Sequence, residues 1–122
     1  MVWGSGKATR DFVYAGDVAE GMLQAADAYD SAQLVNLASG REHSVREVVN
    51  ALTEITRFKG EVVWDTSKPE GQGRRLFDIG KAKRELGYEA KTSLYEGLKV
   101  TADWYRQNRG EARNLVAVSS VV

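Results

Sequence analysis

The sequence predicts an α/β fold, and three observations carry that prediction. Short β-prone runs alternate along the chain with stretches in which apolar residues recur at helical spacing. Asp17, Ser44 and Ser93 each stand three residues before a Glu, the pattern of a capping box at a helix start. Residues 34–38 (LVNLA) form a nearly continuous apolar run, as expected for a strand covered on both faces.

In chain order, residues 2–7 hold Gly4, Ser5 and Gly6 and read as a loop, followed by the β-prone run Phe12, Val13, Tyr14. Asp17 with Glu20 opens the first helix, on which Val18, Met22, Ala25 and Tyr29 share a face predicted to be buried. The strand at residues 34–38 ends at Ser39 and Gly40. Ser44 with Glu47 then opens a second helix carrying an apolar stripe of Val45, Val48, Val49, Leu52 and Ile55. Residues 61–65 predict a strand, and residues 66–73 a polar loop with the only proline, Pro69.

An extended pattern resumes over residues 74–79, where Asp78 is placed to cap a short helix that stops at Gly87. Ser93 with Glu96 opens the last helix, whose Leu94, Leu98, Thr101 and Tyr105 share a face, with Trp104 beside them and Gly110 as the stop. So few strands make a thin sheet, and the run at residues 34–38 calls for neighbours from another segment or another copy of the chain. Residues 115–122 (LVAVSSVV) are apolar, β-branched and uncharged, a liability if left unpaired.

Composition narrows the function classes. With 122 residues, 43% hydrophobic and 28% charged, the chain has the size and make-up of one ordinary domain. Lys plus Arg and Asp plus Glu both number 17, so bulk charge predicts neither nucleic acid nor an anionic membrane as partner, and an anion site has to be local. Without cysteine there are no disulfides and no thiolate metal sites. No run approaches the roughly 18 to 20 apolar residues of a membrane span, and no signal-peptide layout opens the chain, so a cytoplasmic location is the default.

Several side chains are candidates for anion chemistry. Arg10 follows the glycine loop and precedes a β-prone run, where a guanidinium can grip a diphosphate while the loop lets backbone N–H groups come close; pairing with Asp11 or Asp17 at the surface explains the same position. Arg74 and Arg75 are adjacent, so in an extended segment they point to opposite sides and only one can share Arg10's side. Arg74 is the one predicted to do so, against a solvated pair near Asp78 and Glu85, and Lys68 is a further candidate for the same anion. His43 is the only histidine, lacks a second metal-ligating partner in sequence, and reads as structural or exposed.

Two blocks extend this reading. The segment Val2-Trp3-Gly4-Ser5-Gly6 through Arg10-Asp11-Phe12-Val13-Tyr14 to Asp17-Val18-Ala19 resembles a stretch of extended short-chain dehydrogenase/reductases that act on nucleotide sugars. The second block, Lys68-Pro69-Glu70-Gly71-Gln72-Gly73-Arg74-Arg75-Leu76-Phe77-Asp78 with Leu86-Gly87-Tyr88 and residues 93–98, resembles the GDP-L-fucose synthase branch of that NAD-dependent epimerase/dehydratase family. The resemblance implies the C-terminal fragment of a Rossmann-like enzyme, with a small mixed sheet and about four helices. Residues 1–111 would be a nucleotide-sugar-binding domain and residues 112–122 an unmatched apolar tail.

It further implies that Arg10 binds the pyrophosphate, that Trp3 lines the substrate pocket, and that Glu70 stands where the family has an aspartate contacting substrate hydroxyls or the base. The dinucleotide fingerprint and the Tyr-x-x-x-Lys catalytic pair are expected upstream, so this chain alone is predicted to bind no NAD or NADP and to hold no catalytic residue. Its expected partners are a nucleotide sugar, with GDP-sugars favoured, and either the missing dinucleotide-binding half or a second copy of itself.

Overall fold

The computed structural model describes residues 1–109, so the tail and the Gly110 helix stop lie outside the described residues. In chain order the elements are β1 (Val2–Trp3), β2 (Thr9–Asp11), α1 (Ala15–Ala28), β3 (Glu42–Ser44), α2 (Val45–Thr56), β4 (Trp64–Asp65), β5 (Arg74–Arg75), α3 (Gly80–Leu86) and α4 (Leu94–Gln107). The α/β class and the four helices agree with the prediction. β1 and β4 pair in parallel, while β2 lies between β3, to which it is antiparallel, and β5, to which it is parallel. The larger sheet is therefore mixed. No helix among the described residues is long and apolar enough to cross a membrane.

Two of the predicted helix starts are complete capping boxes. In α2 the Ser44 hydroxyl accepts from the Glu47 N–H while the Glu47 carboxylate accepts from the Ser44 N–H, and Ser93 and Glu96 do the same at α4. α1 differs from expectation: it begins at Ala15, its capping position is Tyr14, and no side chain caps it. Asp17 sits in the first turn, and its carboxylate accepts from the Thr92 N–H and hydroxyl at 3.0 Å each. The carboxylate has exchanged a local cap for a tie to the loop before α4. The short helix α3 starts at Gly80 with Ile79 in the capping position; Asp78, predicted to cap it, stands one residue earlier and its carboxylate accepts the Gly80 N–H, and the helix ends at Gly87 in the left-handed conformation as predicted.

The strands moved further. The predicted run Phe12 to Tyr14 carries no ladder; β2 lies just before it, because ladder partners are available to Thr9, Arg10 and Asp11 on both sides. β1 and β3 were not predicted, and the strand expected over residues 61–65 shortens to Trp64–Asp65. Residues 34–38 join no sheet among the described residues. Val35 and Leu37 pack inward while Leu34 is 93% exposed, so one face of this run is covered instead of two.

The core is small and sits where α1, α3 and this run meet. Ala82, Tyr88 and Ala90 are its buried centre, with Val13, Val35, Leu37 and Leu86 against it. The α1 face predicted to be buried is only partly covered, since Met22 is exposed, and Tyr105 on the shared face of α4 is exposed too. Tyr88 is the largest fully buried side chain, and burial, with Asp17 and Asp11 adding to it, pushes its phenol up and keeps it neutral. α1 can lie this close because Gly21 has no Cβ: one built there would stand 2.6 Å from the Tyr88 ring.

Gly21→Ala therefore tests the packing. Alanine in place of glycine inside a helix normally stabilises by up to about 1 kcal/mol, but here the added methyl meets a fixed ring, and we expect a loss of about 1–3 kcal/mol in thermal unfolding. An unchanged or raised melting temperature would show that the Tyr88 ring is free to withdraw.

Candidate functional site

The glycine loop is built by its surroundings. Gly4 and Gly6 have φ of +82° and +76°, a region glycine enters without strain. The Gly4 N–H donates to the Asp65 carbonyl at 2.8 Å, at the end of the β1–β4 pair. The Trp64 ring lies flush with Gly6, where a Cβ would come within 2.5 Å of it. The Arg46 guanidinium stacks 4.2 Å from the centre of that ring and also donates to the Ser5 carbonyl, while the Arg46 N–H donates to the Gly6 carbonyl at 2.9 Å.

Strand β2 leaves this loop and carries Arg10. Its register sets Thr9 opposite Ser44 and Arg74, Arg10 opposite His43 and Arg75, and Asp11 opposite Glu42. Residues at one level of a sheet share a face, and neighbours along a strand alternate. Arg10, His43 and Arg75 thus form a cross-strand row on one face, and Thr9, Glu42 and Arg74 lie on the other. The second face is internally satisfied: Arg74 Nε donates to both Glu42 oxygens at 3.0 and 2.9 Å, Nη2 stands 2.9 Å from Oε2, and the Thr9 hydroxyl also donates to Glu42. Arg74, with the Thr9 hydroxyl, holds the Glu42 carboxyl below its ordinary range.

This corrects the expectation for the arginine pair. Arg74 points away from Arg10 because one residue of strand reverses the face, and it is Arg75 that shares Arg10's side. The alternative surface pairing of Arg10 is also absent. Asp11 accepts from the Ser39 N–H and hydroxyl and the Gly40 N–H at 2.8, 2.5 and 2.9 Å, and Asp17 is held by Thr92. Arg10 donates to the Thr9 carbonyl at 2.7 Å and forms no ion pair with any described residue. It is half-buried, while Arg75 is exposed, its guanidinium 5.5 Å from the centre of the Phe77 ring.

The other predicted residues gather at the loop. Trp3 is 63% exposed, and the Lys68 ammonium stands 5.8 Å from the centre of its ring. Glu70 lies against Gly4, and its carboxylate accepts the Ser5 N–H. Trp3, Lys68 and Glu70 thus cluster at the glycine loop, and Arg10 follows it on β2. His43 sits beside Arg10, its Nδ1 3.7 Å from Glu47 Oε1. Arg46 and Trp64 were missed; nothing in their spacing signals a role at a loop so much earlier in the chain. Arg75 was within reach of sequence reasoning, since alternation was known and only the phase was not.

Two negative findings bear on chemistry. Gly4-Ser5-Gly6 leads into strand β2 and not into a helix, so it does not form the helix N-terminus that holds a dinucleotide pyrophosphate. A Tyr-x-x-x-Lys spacing, expected only upstream, does occur at Tyr95 and Lys99 on α4. There the phenol donates to Glu54 at 3.2 Å, which pushes its pKa up, and Lys99 stands 3.6 Å from Asp103. A raised phenol beside a carboxylate is the opposite of an activated base.

The chain is similar to known proteins throughout the described part. Residues 1–101 match the model of the GDP-mannose 4,6 dehydratase family. GDP-L-fucose synthase 1 of Arabidopsis thaliana is 38% identical over 108 residues, covering 88% of this chain and 33% of the relative. An epimerase of Methanothermobacter thermautotrophicus superposes with a TM-score of 0.84 at 31% identity, covering 93% of this chain and 34% of that one. A UDP-glucose 4-epimerase of Thermotoga maritima, solved with UDP-glucose, has a TM-score of 0.79 at 34% identity, covering 88% and 34%. The chain spans about a third of the length of the relatives it matches.

The Glu70 contact is testable through pH. Hydrogen bonds from Ser5, with the charge of Lys7 adding, hold this carboxyl below its ordinary value of 4.5. A depressed pKa means that the latch is complete at neutral pH and is lost as pH falls through the folded value. The Ser5 amide resonance is expected to stay fixed from pH 7 to about 5 and to move below the ordinary carboxylate range, with no such step in Glu70→Gln. An identical acid titration in both proteins would remove Glu70 from the loop.

Proposed function

This chain belongs to the GDP-mannose 4,6-dehydratase family, and on that premise we propose that it is the nucleotide-sugar-binding portion of an NAD(P)-dependent epimerase/reductase of the GDP-L-fucose synthase kind. One observation carries the reading: Arg10 and Arg75 stand directly opposite each other on β2 and β5, and neither forms an ion pair with any described residue. Like charges at such a pair repel, and a diphosphate laid across them converts that repulsion into paired, charge-assisted hydrogen bonds. The Arg74–Glu42 pair on the reverse face has no such need.

In this reading Arg10 and Arg75 grip the diphosphate, Lys68 adds charge, and Trp3 and Glu70 meet the sugar or base. Glu70 does so while its carboxylate also holds the Ser5 amide. A GDP-sugar is the favoured ligand, supported by the second sequence block and by the relatives named for GDP-L-fucose. In this reading the nicotinamide dinucleotide with its hydride chemistry, and the side chains for acid/base chemistry, are assigned to the two thirds of the relatives' length that this chain does not span. The residues of this chain bind and orient the ligand, and the proton transfers are assigned to the length it does not span.

A second reading has its own observation. Met22 and Leu23 on α1 and Leu34 in the run at residues 34–38 are exposed apolar side chains, and such surfaces favour association. Sedimentation velocity decides it: self-association predicts a dimer or larger species at micromolar protein, and a lone monomer removes this reading.

Calorimetric titration with GDP tests the first. A guanidinium bonded to a charged partner contributes about 1.5–3 kcal/mol, so Arg10→Ala and Arg75→Ala should each weaken GDP by about 10- to 100-fold, and Arg74→Ala by less than about threefold. UDP is expected to bind more weakly. The 122-residue chain is expected to show no reductase turnover by itself. Absence of heat at millimolar GDP, or equal losses for Arg74→Ala and Arg75→Ala, overturns the proposal.

A further inference from the structure

We propose that Arg46 is a positioning residue for the nucleotide-sugar site, acting through the glycine loop, a role that rests on the ligand reading above. Arg46 holds two successive carbonyls of the loop. Its backbone N–H takes the Gly6 carbonyl at 2.9 Å, and its Nη2 takes the Ser5 carbonyl. A trans peptide is planar, with its C=O and N–H on opposite sides. Drawing the Ser5 and Gly6 carbonyls toward the start of α2 therefore turns the N–H groups of Gly6 and Lys7 away from it. The Lys7 N–H is then taken by the Ser5 hydroxyl at 3.2 Å, and no acceptor among the described residues meets the Gly6 N–H. A donor left in this way at a loop next to Arg10 is what an anion takes up.

The guanidinium can serve because Trp64 fixes its plane. The indole touches both Gly6 and the Arg46 guanidinium, the latter 4.2 Å from the ring centre. A flat cation stacks on a ring and keeps an N–H pointing out along its edge; a lysine ammonium is a point charge on a flexible stem and does not hold both contacts at once. Arg46 also directly follows the first residue of α2, which the Ser44–Glu47 capping box pins. Helix start, indole and loop are thus one rigid assembly, and two of its anchors, Arg46 and Trp64, come from elements that are not themselves part of the cationic row.

The test compares Arg46→Met and Arg46→Lys with the unaltered 122-residue chain, using GDP calorimetry and amide NMR. The unaltered chain should show the Gly6 amide proton moving on GDP addition. Arg46→Met should shift the Gly6 and Lys7 amides before any ligand is added, weaken GDP by about tenfold, and leave the α4 amides in place. Arg46→Lys, which keeps the charge and guards against misfolding of the first variant, should lose most of the same affinity. GDP affinity within about twofold of the unaltered chain in both variants, or a Gly6 amide that GDP does not move, overturns the role. If the unaltered chain binds no GDP, the ligand reading itself fails. The ligand-free spectra then decide alone, and unmoved Gly6 and Lys7 amides in Arg46→Met refute the positioning.

Discussion

Everything proposed for the site depends on the register of β2 between β3 and β5. In a strand the side chains alternate, and a slip of one residue exchanges the two faces completely. The observed register places Arg10 level with His43 and Arg75, and Thr9 level with Ser44 and Arg74. It is held in part by the satisfied face: Glu42 gathers the Thr9 hydroxyl and the Arg74 guanidinium, and Asp11 ties the end of β2 to Ser39 and Gly40. With that face neutralised from within, the unbalanced charge is left on the other.

The scaffold behind the site is light. Two capping boxes start α2 and α4, and their carboxylates, Glu47 and Glu96, are both held below the ordinary range by Ser44 and Ser93. Asp17 joins α1 to the loop before α4, and Arg41 reaches the Ala90 carbonyl at 2.8 Å. Polar ties of this kind connect elements that the small cluster around Tyr88 does not by itself hold together. The exposed faces of α1 and of the run at residues 34–38 belong to the same picture, since a domain of this size with so few buried side chains leaves apolar surface uncovered.

Local signals and long-range ones were legible to different degrees. Ser44 with Glu47 and Ser93 with Glu96 predicted helix starts because a capping box closes within four residues. Asp17 with Glu20 has the same spacing and failed, since Thr92, far along the chain, competes for the Asp17 carboxylate. Phe12 to Tyr14 have the side chains of a strand, but a strand exists only where partners offer a ladder, and those partners flank Thr9 to Asp11. Tyr95 and Lys99 show the same limit in a motif: the spacing is present, and the neighbours Glu54 and Asp103 cancel the chemistry it would signal.

By itself the sequence determined the α/β class, the family resemblance, the glycine loop with its flanking Trp3 and Arg10, and the statement that only one of Arg74 and Arg75 can join Arg10. The resemblance rests on two blocks similar to a known family, and the others follow from side-chain type and from spacing within a few residues. Only the tertiary structure decided that Arg75 is that residue, that Arg74 belongs to Glu42, and that Arg46 and Trp64 stand behind the loop. Phase between strands and contact between distant segments are set by how the chain closes on itself, and a period of two read along one strand carries no information about its alignment with the next.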